Sequence, residues 1–216
     1  EISLGLVGSE MCIRDRDKQT HEPLYETPIT TILNADIPVT REGVVACPGV
    51  TGGVLWSSPA YHPGEKILLT SSIDYCSRFR AAADVRFVPG QLYMGGTARR
   101  EGDMSGWITA VDVETGEVRW KHQTEYPNVA AVTTTAGGLA ISGTLAGDIL
   151  FVDLATGEVL NSIATGAQIG GGNISYAVDG RQYIAVGSGL GMLTIRPREL
   201  GLPRENSIIV YALPFD

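Results

Sequence analysis

The residue types best suited to chemistry in this chain are two carboxylates, three histidines, two glycine-rich runs and one tryptophan. Asp112 and Asp153 lie 41 residues apart, each three residues before a Thr-Gly pair, Thr115-Gly116 and Thr156-Gly157. A carboxylate so placed is a candidate general base. Its repetition at one offset points to another role. An Asp accepts hydrogen bonds from turn amides, a Thr does so more weakly, and a Gly takes φ > 0. Both carboxylates are therefore read as holding turns. His21, His62 and His122 sit in polar, turn-like stretches with no Ser–His–Asp set around them, and are read as solvated. Gly187-Ser188-Gly189-Leu190-Gly191 has the look of a dinucleotide fingerprint. It lacks the sixth-position Gly, and Pro197 stands where a phosphate-binding helix would run, so a β-turn is the better reading. Gly170-Gly171-Gly172-Asn173 reads as a close-approach turn rather than a phosphate cradle. Trp56 keeps two open readings, a cofactor wall or a packing residue between sheets.

The elements that would position these residues are hairpins. Trp107, Ile108, Ala110 and Val111 supply an apolar strand, Asp112 to Gly116 a tight turn, and Val118 and Trp120 one face of a returning strand at period two. The pattern returns at Asp153-Leu154-Ala155-Thr156-Gly157, with Asn161 in place of the terminal Trp. A degenerate copy runs from Asp17 through Thr20 to Tyr25, with His21 for the Gly and Tyr25 for the Trp. A strand-rich repeat near 40 residues is the signature of propeller blades.

Strands are expected at Val44–Cys47, Gly53–Tyr61, Lys66–Ser71, Gln91–Gly95, Val129–Thr135, Leu139–Ser142, Ile174–Val178, Gln182–Gly187 and Ser207–Leu213, besides the two repeat hairpins. Asp179-Gly180 signals a type I′ turn. Residues 73–90 read as a long irregular connection and Thr97–Ser105 as a charged loop. The fold class is all-β, a partial β-propeller of about three four-stranded blades, where a closed ring needs four to eight.

A net charge of −8 and a pI near 4.9 argue against nucleic acid as a partner, which calls for a basic surface. No apolar run approaches the roughly 20 residues of a membrane-spanning helix. The three cysteines, Cys12, Cys47 and Cys76, match no zinc spacing. Spacing leaves Cys47 and Cys76 open between two buried thiols and a disulfide, the latter requiring an oxidising compartment. Residues 1–16 show no sustained period and open on Glu. They carry acid where a secretory signal has a basic n-region, and no long apolar h-region follows. The string resembles translated sequencing-adapter read-through. It is set apart, with Cys12, as an artefactual or disordered leader, and the propeller portion is taken as residues 17–216.

The string from Ala110 through Asp112, Thr115 and Gly116 to Trp120 matches the tryptophan-docking motif of eight-bladed quinoprotein propellers. Ala46-Cys47-Pro48-Gly49-Val50-Thr51-Gly52-Gly53 followed by Trp56 and Pro59-Ala60-Tyr61-His62-Pro63 adds to it, as do Gly106 to Asp112, Thr133 to Leu139, Gly143 to Asp148, Tyr176 to Val186 and Ile208 to Pro214. With these, the chain from about residue 17 onward resembles the C-terminal part of pyrroloquinoline quinone (PQQ)-dependent alcohol and methanol dehydrogenases. The resemblance implies a periplasmic or secreted oxidoreductase. PQQ lies on the propeller axis, bridged to the protein by Ca²⁺ or a lanthanide. An Asp takes the alcohol proton, PQQ accepts the hydride, and a c-type cytochrome is the electron acceptor.

Carried over by position, the resemblance makes Trp56 and the Leu55 position cofactor-binding candidates, Leu55 standing where the family often has Asn. Leu190 and Leu193 occupy the places of a Trp brought near PQQ. The resemblance also implies a Cys47–Cys76 disulfide. The family's catalytic Asp and metal ligands come from earlier blades, and no residue here matches them. The chain is thus expected to be an inactive piece whose missing N-terminal blades complete it. The alternative is a non-catalytic propeller of the same superfamily serving as a binding or assembly scaffold.

Overall fold

The computed structural model describes residues 12–54, 57, 59–84, 86, 88–90, 94–189, 201 and 206–214. None of them is helical; they form antiparallel sheets that follow one another along the chain. The first is a hairpin of β1 (Cys12–Arg16) and β2 (Pro23–Pro28). The second joins β3 (Val44–Ala46), β5 (Ile67–Ala81), β6 (Gly96–Asp112) and β7 (Val118–Thr124), with β4 (Ala60–His62) pairing β5. The third runs β11 (Val159–Ala164), β10 (Asp148–Asp153), β9 (Leu139–Gly143), β8 (Val132–Thr134). The fourth is β12 (Asn173–Val178), β13 (Arg181–Ser188) and β14 (Ser207–Ala212). Sequential antiparallel sheets packed face on face are blades of a β-propeller, and the described strands make part of such a ring.

Period-two alternation builds the packing. In the third sheet Ile149, Leu150, Phe151 and Val152 form an unbroken apolar run because that sheet is covered on both faces. Leu150, Val152 and Ala140 pack with Ile67, Leu69, Ile108 and Trp120 of the second sheet. Ile149, Ile141 and Phe151 pack with Ile184, Val186 and Tyr211 of the fourth. Each fully buried Ile or Leu there stabilises by about 1.5–3 kcal/mol relative to exposure.

Three expectations change. Residues 73–90 and Thr97–Ser105 are not loops up to Ala81: β5 and β6 run on past the blade as a twisted ribbon, in register from Cys76↔Glu101 to Ala81↔Gly96 beyond a bulge at Asp74/Cys76. The charge density that suggested a loop is the exposed surface of this ribbon. Arg78 donates to Glu101 across the strands through Nε (3.1 Å) and Nη2 (3.0 Å), a bidentate pair that compensates charge at the ribbon surface. Of the strand expected at Gln91–Gly95, residues 91–93 lie outside the described residues, and Met94 and Gly95 are not in a strand. β1 falls inside the leader that was set apart; it pairs with β2, and Cys12 is buried.

Candidate functional site

The two repeated carboxylates do closely similar work. Asp112 Oδ1 accepts from the amides of Glu114 (2.8 Å) and Thr115 (3.0 Å), while Oδ2 accepts from Arg119 Nη2 (2.6 Å). These donors, Arg119 first, hold its carboxyl down at about 2. Asp153 Oδ1 accepts from the amides of Ala155 (3.0 Å) and Thr156 (2.8 Å) and from the Thr156 hydroxyl (2.9 Å). Its pKa is lowered too, chiefly by the Thr156 amide. A carboxylate saturated by donors and kept ionised is a poor proton acceptor at neutral pH. Asp17, at the head of the degenerate copy, accepts from the Gln19 (2.8 Å) and Thr20 (2.7 Å) amides in the same way.

Each turn also receives an aromatic ring from the preceding sheet. A Cβ on Gly157 would lie 2.6 Å from the Trp120 ring, and one on Gly116 would lie 2.5 Å from Tyr25. Both glycines have φ near +77° (78° and 76°). Trp120 Nε1 donates to the Leu154 carbonyl (2.8 Å), fixing the indole in its seat. Tyr25 thus does for the first and second sheets what Trp120 does for the second and third. His21 takes φ 61°, the conformation its glycine counterparts take.

The segments leading into β4, β8 and β12 form a continuous polar seam. Ser57 Oγ donates to the Val129 carbonyl, Ser71 Oγ to Ala130, and the Ala131 amide to Gly171 (3.1 Å). Asn173 Nδ2 donates to the Ala131 carbonyl at 2.6 Å, and Thr133 Oγ1 to the Asn173 carbonyl at 2.8 Å. Two buried amide atoms on this seam lack a protein partner, Asn128 Nδ2 and Asn173 Oδ1. Buried polar atoms ordinarily have one, so these two are open to a bound group. Composition alone did not single out Asn128. Its only sequence signal is a polar residue leading into an apolar strand. Leu55, Trp56, Leu190 and Leu193, the positions assigned beside PQQ, lie outside the described residues. Among the described residues no three His, Cys, Asp or Glu side chains converge, so a metal finds no ligand set there.

Cys47 and Cys76 are joined as a disulfide, tying the end of β3 to β5. Asp74 carries a second tether. It accepts from the Thr31 amide and hydroxyl (both 3.1 Å) and from Trp107 Nε1 (2.8 Å). Lys121 lies over the Trp107 ring and donates to the Ile29 carbonyl (2.8 Å); burial pushes its pKa down. Between the strap 34–52 and the ribbon lies a cavity of about 550 Å³, with Cys47 in its wall.

No protein-family model matches the chain. It is 28% identical over 184 residues to a lanthanide-dependent methanol dehydrogenase of Methylorubrum extorquens, covering 82% of this chain and 30% of that protein. It is 30% identical to a lupanine 17-hydroxylase [cytochrome c] of a Pseudomonas species (69% of this chain, 22% of the relative) and to a quinoprotein ethanol dehydrogenase of Pseudomonas putida (68% and 24%). A europium-containing methanol dehydrogenase superposes with a TM-score of 0.74 at 24% identity, over 84% of this chain and 35% of that one. The quinohemoprotein alcohol dehydrogenase ADHIIG of Pseudomonas putida HK5 does so at 0.80 and 16% identity, over 92% and 34%. The chain therefore spans under a third of the length of these curated relatives.

Proposed function

The chain is a homologue of the quinoprotein alcohol and methanol dehydrogenases, and from that premise we propose that it is the C-terminal blade section of a PQQ-dependent dehydrogenase of a small alcohol. The observation that carries this reading is sequence similarity to methanol and ethanol dehydrogenases, over 82% of the chain for the first and 68% for the second. In such an enzyme PQQ supplies the hydride acceptor. The residues of this chain bind and orient. The unpartnered Asn128 Nδ2 suits a carbonyl or carboxylate oxygen, and Asn173 Oδ1 suits a donor such as bound water. By position, Trp56 would wall the ring system, and Leu55, an apolar side chain, would add no hydrogen bond. The proton-accepting carboxylate and the metal ligands, Ca²⁺ or a lanthanide, would come from blades upstream, and this chain alone would not turn over substrate. A c-type cytochrome is the proposed electron acceptor, supported by the relative whose name carries cytochrome c. A periplasmic location is supported by the disulfide, which persists in oxidising compartments.

The test is a titration of the purified chain with PQQ and Ca²⁺, read by tryptophan fluorescence. Saturable quenching that is lost in Trp56→Ala is the expected result. Absence of saturable quenching would overturn the cofactor role given to this section.

A further inference from the structure

The cavity beside the disulfide takes no part in the reading above. It lies between the strap that carries β3 and the ribbon of β5 and β6, and none of the seam residues Ser57, Ser71, Asn128 and Asn173 lines it. Its volume of about 550 Å³ falls in the range of small-molecule sites. The lining is largely apolar, with Val44, Val50 and Phe79 in the walls. Ile37, Val39 and Met94 at its margin remain 47%, 49% and 57% exposed, an unusual concentration of wet hydrophobes around one opening.

The charge in the cavity has one sign. Among the described residues no carboxylate lines it, and the charged side chains in its lining are Arg14 and Arg80. Arg14 is ion-paired with Glu26 at 3.1 Å. Among the described residues no carboxylate lies within ion-pair distance of Arg80. The stem of Arg80 is fixed against the strap at Gly43, where a Cβ would stand 2.7 Å from its Cγ and 3.1 Å from its Nε. An apolar trough with a held, uncompensated guanidinium recognises a molecule with an apolar body and a single anionic head, because the guanidinium fork matches a carboxylate and apolar surface is removed from water alongside it.

We infer that this cavity binds a small amphipathic carboxylate, its aliphatic chain in the trough and its head group at Arg80. The site needs neither PQQ nor a metal, so its test is independent of the dehydrogenase reading. The chain is titrated calorimetrically with octanoate, 1-octanol and octylammonium. Octanoate is expected to bind saturably at one site, tighter than either analogue by at least about tenfold. Arg80→Glu is expected to weaken octanoate by about tenfold or more and to favour octylammonium, while Arg80→Lys keeps octanoate within a few-fold. Ile37→Glu, which places an anion at an exposed margin without touching the core, is expected to weaken octanoate as well. Equal binding of the three probes, no saturable binding of octanoate, or octanoate affinity unchanged in both Arg80→Glu and Ile37→Glu would overturn the assignment.

Discussion

At the scale of single residues, the docking turns are where small changes have large effects. Gly157→Ala adds a Cβ 2.6 Å from the Trp120 ring on a backbone at φ 78°, so the ring must leave its seat or the turn must distort. A left-handed L-residue costs about 1–2 kcal/mol and overpacking about 1–3, which gives an expected loss of about 2–5 kcal/mol in urea unfolding. His21→Gly should act the other way. The side chain there is exposed and the backbone already left-handed at φ 61°, so relief of that strain outweighs the added unfolded-state freedom, with an expected gain of about 0.5–1 kcal/mol in the same measurement.

Asp112 gives the pH dependence. Its folded pKa, about 2, lies below the ordinary 3.8. A depressed carboxylate contributes stability that is present above its unfolded pKa and is lost as pH falls through the folded one. Melting temperature should therefore decline between pH 4 and pH 2, and Asp112→Asn should remove part of that decline. A slope identical in both proteins would show that the Arg119 pairing contributes nothing to stability. The lowered carboxyls of Asp153 and Glu101 account for acid sensitivity that survives the substitution.

At the scale of elements, the ribbon and its strap depend on two cross-links. Each acts at the point where β5 and β6 pass from the blade into the ribbon, next to Tyr75. The Cys47–Cys76 bridge closes a loop with a sequence separation of 29. In the chain-entropy description such a closure is worth about 3–4 kcal/mol. The double variant Cys47→Ser/Cys76→Ser should lose stability of that order. Proteases should cut first within the strap at 34–46, which is exposed apart from a partly buried stretch at its end. Cutting elsewhere at the same rate would mean that the Asp74–Thr31–Trp107 tether holds the strap alone.

At the scale of the whole molecule, the interfaces between sheets differ. The third sheet is covered on both faces, whereas the fourth is covered on one. Its other face presents Ile174 (57% exposed), Val178 (50%), Ile208 (79%) and Val210 (51%), beside the stacked pair Tyr176 and Tyr183. Apolar sheet surface left wet in this way drives association. Sedimentation velocity should show the chain self-associating as its concentration rises. Ile174→Lys/Ile208→Lys, which alters no buried residue, should return it to monomer. A monomeric unmodified chain at all concentrations would show that this face is not adhesive.

The parts of this protein legible from sequence alone are those governed by chain-local chemistry. An Asp, a Thr and a Gly in fixed order are enough to close a turn through side chain–amide bonds and a left-handed glycine. The Asp112 and Asp153 hairpins and the Asp179-Gly180 turn, whose φ values are 49° and 79°, are accordingly legible in the sequence itself. Alternation of apolar residues placed β9, β10, β12 and β13 to within a residue or two. What the tertiary structure decided depends on partners distant in the chain. Arg78 and Glu101, 23 positions apart in the chain, look like loop residues until the register sets them on facing strands. Tyr25 looks like a spoiled tryptophan until it is found on Gly116, and Arg80 is an unremarkable surface cation until Gly43 of the strap is found against its stem. Local turns follow from dihedral preference and short hydrogen bonds. The ribbon, the docked rings and the cavity follow from which surfaces meet, and that is fixed only when the sheets are stacked.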